Sequence, residues 1–75
     1  MRHLGPSALR AYATLREQIL QHVYQPGERL PSRSDLALSL GVGTKTVAQV
    51  CAVLEDEGLV RTEWGHGTFV SRRMP

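Results

Sequence analysis

Residues 40–58 read LGVGTKTVAQVCAVLEDEG, and spacing alone separates two opposite helix faces in them. Val47, Val50, Cys51 and Leu54 recur at intervals of three and four and make an apolar stripe. Thr44, Lys45, Ala48, Gln49 and Ala52 fall together on the other side. A solvated helix face ordinarily carries long charged side chains, whereas this one offers small residues, hydroxyls, one amide and one lysine. Such a face lets another macromolecule come close to the backbone while hydrogen-bonding groups project toward it. An ordinary solvated surface is the competing explanation.

Upstream of this stretch, Ser32 is placed to cap a short helix, with Asp35 three residues on to return the bond, and Leu36, Ala37 and Leu40 make its inward face. Gly41 can take the positive φ that ends a helix, Val42 plugs the turn, and Gly43 or Thr44 opens the central helix over residues 43–57. Two helices joined by a tight glycine-containing turn make a helix-turn-helix.

Further back, Pro6 and Ser7 mark the start of a first helix over residues 7–22. Its expected apolar positions are Leu9, Tyr12, Leu15, Ile19, Leu20 and Val23, with Arg10, Arg16, Glu17 and Gln21 outside them and His3 and His22 exposed. Pro26 and Gly27 then turn the chain, residues 28–30 leave room for only a very short extended segment, and Pro31 ends it.

Downstream, Gly58 stops the central helix. Residues 59–63 and 68–71 read as strands around a glycine-rich loop at 64–67, which is a β-hairpin. A two-stranded ribbon is marginal by itself, so it is expected to rest on the helices through Leu59, Phe69 and Val70. The architecture expected is mainly α with a small β-hairpin, a three-helix winged helix-turn-helix over residues 7–71. A flexible N-terminus at 1–6 precedes it, and a basic tail or the start of a linker follows at 72–75.

Composition bounds what such a chain can do. With 75 residues it makes one domain, and folding at this size hides only ~60% of the surface of the unfolded chain, which leaves little room for an enclosed catalytic cleft. A hydrophobic content of 41% beside 21% charged residues is that of a folded protein. No apolar run approaches a membrane helix or a signal peptide, so a cytoplasmic chain is expected. The single cysteine, Cys51, sits on the apolar stripe and reads as a buried, inert thiol. Net charge is +2, but its distribution is polarised: Glu55, Asp56 and Glu57 cluster at the end of the central helix, where the helix dipole disfavours them. Arg2, Arg10, Arg16, Arg33, Lys45, Arg61, Arg72 and Arg73 are spread elsewhere and suit a polyanionic partner.

Four segments, PGERLPS (26–32), DLALSLGV (35–42), KTVAQVCAVLEDEGLV (45–60) and GHGTFV (65–70), resemble the amino-terminal DNA-binding domain of the GntR family of bacterial transcription regulators. The resemblance runs over residues 9–71 in the family's order and spacing. It implies that helix 43–57 enters the major groove of double-stranded DNA and the 64–68 wing the adjoining minor groove. Thr44, Lys45, Thr46, Ala48 and Gln49 occupy the groove-facing end. Lysine can meet phosphate or a guanine edge, threonine hydroxyls commonly bond phosphates, and a glutamine amide suits adenine. In the wing, Gly65 and Gly67 let the backbone pass close, and His66 and Thr68 suit a groove or phosphate contact. Where the family has serine, glutamate and arginine at the start of the second helix, this chain has Ser32, Arg33 and Ser34, so the arginine that reaches DNA is displaced by one position. Thr44 and Ala48 stand where the family often has arginines.

By the same resemblance the chain serves a regulator, most often a repressor, that binds a palindromic operator as a homodimer, paired either through a C-terminal effector-binding domain outside these residues or, in a stand-alone protein, through the first helix or the DNA itself. No cofactor or metal is expected: His66 has no Cys or carboxylate at ligand spacing. An enzyme is disfavoured, since no nucleophile, base and orienting acid converge and no phosphate-binding glycine loop occurs. A winged-helix docking module is the alternative, and it would want aromatic or leucine anchors around residues 44–49. An RNA or single-strand binder would want exposed aromatics, for which Trp64 is the only candidate.

Overall fold

The computed structural model describes residues 3–72. Residues 1, 2 and 73–75 lie outside it, and with them Arg2, Arg73 and most of the expected tail.

Helix α1, Pro6–Leu20, starts with proline at its first position behind an extended Gly5. It ends two residues short of the expected boundary. The His22 amide donates to the Ile19 carbonyl at 3.1 Å and the Val23 amide to the Gln18 carbonyl at 2.9 Å, with His22 at φ 60°. This is the helix-ending pattern that usually employs glycine. Helix α2, Arg33–Leu40, is capped by Ser32, whose Oγ accepts from the Asp35 amide at 3.1 Å, and it stops at Gly41 in the left-handed region at φ 70°. Of the two expected reciprocal capping bonds, this is the one that forms. Gly43 is the N-cap of α3, Thr44–Asp56, and α2 and α3 are bent by 100° across their three-residue break. That angle lies in the helix-turn-helix range.

Strands β1, Val60–Glu63, and β2, Gly67–Val70, pair antiparallel, with Val60 opposite Val70 and Glu63 opposite Gly67. The short segment before Pro31 joins them: Arg29 bridges Phe69, the Leu30 amide donates to the Thr68 carbonyl at 2.8 Å, and the Val70 amide to the Glu28 carbonyl at 2.9 Å. The ribbon thus gains a third edge and is not left marginal.

Helix α3 packs against α1, α2 and β1. Leu15, Ile19, Leu36, Val47, Val50, Leu54, Val60 and Val70 are fully buried around it, and Cys51 lies in the same core. The apolar stripe of α3 is therefore the inward face, and Val53, outside that stripe, is buried as well.

Two expectations about packing are corrected. In α1 the buried line is Ala8, Ala11, Leu15 and Ile19, whereas Leu9, Leu20 and Val23 are exposed. Positions 8, 11, 15 and 19 follow one helical face, from which 9 and 20 are displaced by about 100°, the turn of a single residue. In β2, Phe69 is half-buried and does not point into the core beside Val70. Successive strand residues face opposite sides, so with Val70 inward Phe69 must turn outward, where the Arg61 guanidinium stands 5.1 Å from the ring centroid.

Candidate nucleic-acid interface

The outward face of α3 divides along its length. At the N-terminal end Thr44, Lys45 and Gln49 are exposed and Thr46 and Ala48 are half-buried. Ala52, a turn further on, is half-buried as well and lines a hollow with Arg33, Ala48, Glu55, Thr62 and Trp64. The hollow continues toward the wing as a cleft lined by Arg29, Ser32, Arg33, Trp64, Gly65, Gly67 and Thr68. Arg33 at the first turn of α2 is thus brought beside the wing and the distal half of α3. Ser34 is exposed and lines neither hollow.

The wing turn is built by its glycines. Gly65 has φ 80° and Gly67 φ 115°, conformations that side chains resist. The His66 amide donates to the Glu63 carbonyl at 2.9 Å, which closes the turn and leaves the His66 side chain exposed at the tip. Gly67 is also pressed from below: a Cβ there would stand 2.6 Å from Nε of Arg29. Arg29 is therefore packed under the wing, a placement that periodicity gave no means of finding. Trp64, 93% exposed on the same turn, falls within the expected 64–68 wing, but nothing in the sequence assigns it a contact of its own.

The acidic cluster ending α3 is structural. The Tyr12 hydroxyl donates its single proton between the two Glu57 carboxylate oxygens, at 2.8 and 2.7 Å, and Arg16 Nε lies 3.9 Å from the same carboxylate. Glu55 accepts from the Thr62 amide at 3.0 Å. These contacts tie α3 to α1 and to β1. Arg61 is paired with Glu63 on the hairpin's outer face. Burial raises the Cys51 thiol above its usual value, with Arg33 pulling the other way, so the protonated thiol is the favoured form. Among the described residues no group of His, Cys, Asp or Glu is arranged to hold a metal ion, and no single helix is long and apolar enough to cross a membrane.

Three helices and an antiparallel hairpin, with a wing beside the exposed edge of the third helix, define a winged helix-turn-helix. Residues 7–70 match the family model of the bacterial regulatory proteins, gntR family, and the chain belongs to that family. An uncharacterised HTH-type transcriptional regulator of Streptomyces coelicolor is 48% identical over 60 residues, covering 79% of this chain and 22% of that one. An HTH-type transcriptional regulator of Mycobacterium tuberculosis is 43% identical over 65 residues, covering 81% and 54%. The HTH-type transcriptional repressor YtrA of Bacillus subtilis is 35% identical over 57 residues, covering 76% and 44%. This chain thus spans between about a fifth and about half of these relatives.

Among solved structures, a GntR family transcriptional regulator from Listeria monocytogenes superposes with a TM-score of 0.85 at 23% identity, over 97% of this chain and 64% of that one. The AraR DNA-binding domain in complex with an operator superposes at 0.83 with 25% identity, over 91% and 82%. The fold is that of a gntR-type winged-helix DNA-binding domain, and the family is one of regulators rather than enzymes.

Proposed function

We propose that this chain is the operator-recognising part of a bacterial transcription regulator, that it binds double-stranded DNA by sequence, and that the regulator acts as a repressor. Helix α3 lies in the major groove and the 64–68 wing in the adjoining minor groove. The observation that carries this reading is the exposed N-terminal edge of α3, where Thr44, Lys45 and Gln49 stand clear of the fold. Lys45 meets phosphate or a guanine edge, Thr44 and Thr46 bond phosphate, and Gln49 offers an amide to adenine. Gly65, His66, Gly67 and Thr68 form the wing contact, and Arg33, with Ser34 in the position of the family's arginine, approaches the backbone from α2.

The longest dimension of the domain is 29 Å, less than the roughly 34 Å of a DNA turn, so one copy covers a half-site. Two copies on a palindromic operator, paired through a C-terminal effector-binding domain in the longer protein, complete the arrangement. A regulator of this kind works in the cytoplasm and needs no cofactor to bind DNA. Selection of bound duplexes from a random pool tests the reading: enrichment of an inverted repeat is the expected result. Recovery of no preferred sequence would sink it in favour of a protein-docking winged helix.

A further inference from the structure

Trp64 is the chain's single tryptophan, and it is 93% exposed. It does not serve the core, which takes Val60 and Val70 from the hairpin. It opens the wing turn, where it lines one cleft with Arg29 and Arg33 and the adjoining hollow with Arg33, Ala48 and Ala52. Among the described residues neither Arg29 nor Arg33 has an ion-pair partner. The two carboxylates beside the cleft are engaged, Glu55 by the Thr62 amide and Glu63 by Arg61. Small side chains on α3, a flat aromatic ring opposite and two uncommitted guanidinium groups leave a track rather than a pocket.

We propose that this cleft carries the sugar-phosphate backbone of one DNA strand where it passes from the groove occupied by α3 to the groove occupied by the wing, with Arg29 and Arg33 on phosphates and the Trp64 ring flat against deoxyribose. The proposal rests on the DNA-binding reading above, in which Arg33 already approaches the backbone, and adds two contacts to it, those of Arg29 and Trp64. Guanidinium forks match phosphate oxygens in geometry and charge. The indole covers the apolar edge of the sugar, a surface that every nucleotide presents, so this contact carries affinity and register but no base information. Trp64 opens the turn and lines the cleft with Arg29 and Arg33, whereas His66 is at the tip, so the proposal sets the ring on the strand and not on the groove floor.

The single tryptophan makes intrinsic emission a report from this residue alone. The chain is titrated with a mixed-sequence duplex of about 30 base pairs, roughly three helical turns, end-labelled with fluorescein and followed in parallel by anisotropy. Tryptophan emission is expected to be quenched, and shielded from acrylamide, with the same midpoint as the anisotropy rise. Trp64→Ala is expected to weaken binding on the order of tenfold with an unchanged far-ultraviolet spectrum, and Trp64→Phe to recover most of the loss. Arg29→Ala and Arg33→Ala should each flatten the slope of log K against log salt by about 0.9, the release from one phosphate. A full anisotropy rise with unchanged emission and unchanged acrylamide access overturns the track while leaving DNA binding intact. No anisotropy rise at low salt removes the DNA-binding reading and the track together. Tighter quenching by the isolated single strand than by the duplex overturns it in favour of a base-stacking platform.

Discussion

Gly67 shows how one residue couples the wing's shape to its charge. Its φ of 115° belongs to a region nearly closed to other residues, and a Cβ there would meet Nε of Arg29 at 2.6 Å. Gly67→Ala is therefore expected to cost on the order of 1–3 kcal/mol, a fall of several degrees in Tm, and to displace Arg29 from beneath the wing. Gly43 gives the comparison: it has φ −83° and a Cβ added to it would meet nothing within 4 Å, so Gly43→Ala should lose only what a poorer N-cap costs, up to about 1 kcal/mol. Equal Tm values for the two variants would mean that the wing turn is not constrained as described. Gln49 carries a different kind of information. Its side chain is exposed on the outward edge of α3, so Gln49→Ala should leave Tm in place and relax preference at one base pair by about 1–3 kcal/mol, read from binding to a panel of single-base operator variants.

At the scale of elements, the link between α1 and α3 depends on Tyr12 and Glu57, 45 residues apart in sequence. Tyr12→Phe removes the donor and leaves a carboxylate that Arg16 and water can still reach, so a loss of about 1 kcal/mol, or roughly 4–8 °C in Tm, is expected from thermal melts. Burial, followed by the Glu57 hydrogen bond and charge, raises the Tyr12 hydroxyl above its ordinary 10.0, and burial raises Cys51 above 9.0. Both groups hold their protons more tightly folded than unfolded. Their contribution is complete below about pH 9 and declines as pH rises through 9 and then 10. Denaturation midpoints should accordingly be flat near neutrality and fall above pH 9, and Cys51→Val should move the onset toward pH 10. Elements such as α3 are legible in the sequence because their faces follow from a local period, and their ends from single residues such as Ser32 and Gly41. The Tyr12–Glu57 bond, the seat of Arg29 under Gly67 and the cleft beside Trp64 depend on segments far apart in the chain, which no local period encodes. Phe69 is misplaced by the sequence for another reason: two adjacent strand residues cannot both face one core, and the alternation itself decides between them.

For the molecule as a whole, the modest net charge of +2 conceals an uneven distribution. Carboxylates at the end of α3 are spent on internal ties, while Lys45, Arg29 and Arg33 lie on exposed ground along the proposed contact surface. If those three cations each meet one phosphate, log K should fall against log salt with a slope of about −2.7 for a single domain, at roughly 0.9 per phosphate. A pair of domains held on two half-sites would double that slope, because both copies release counterions on binding. Lys45→Ala should lower affinity for all sequences alike and reduce the single-domain slope by about 0.9. Measuring the slope with a duplex holding one half-site, then with the inverted repeat, separates contact from assembly. The ratio of the slopes counts the copies bound, and the decrement caused by Lys45→Ala counts the phosphates that this lysine touches. A slope near zero with either duplex would contradict a phosphate-facing surface, because contacts of that class cannot form without displacing counterions.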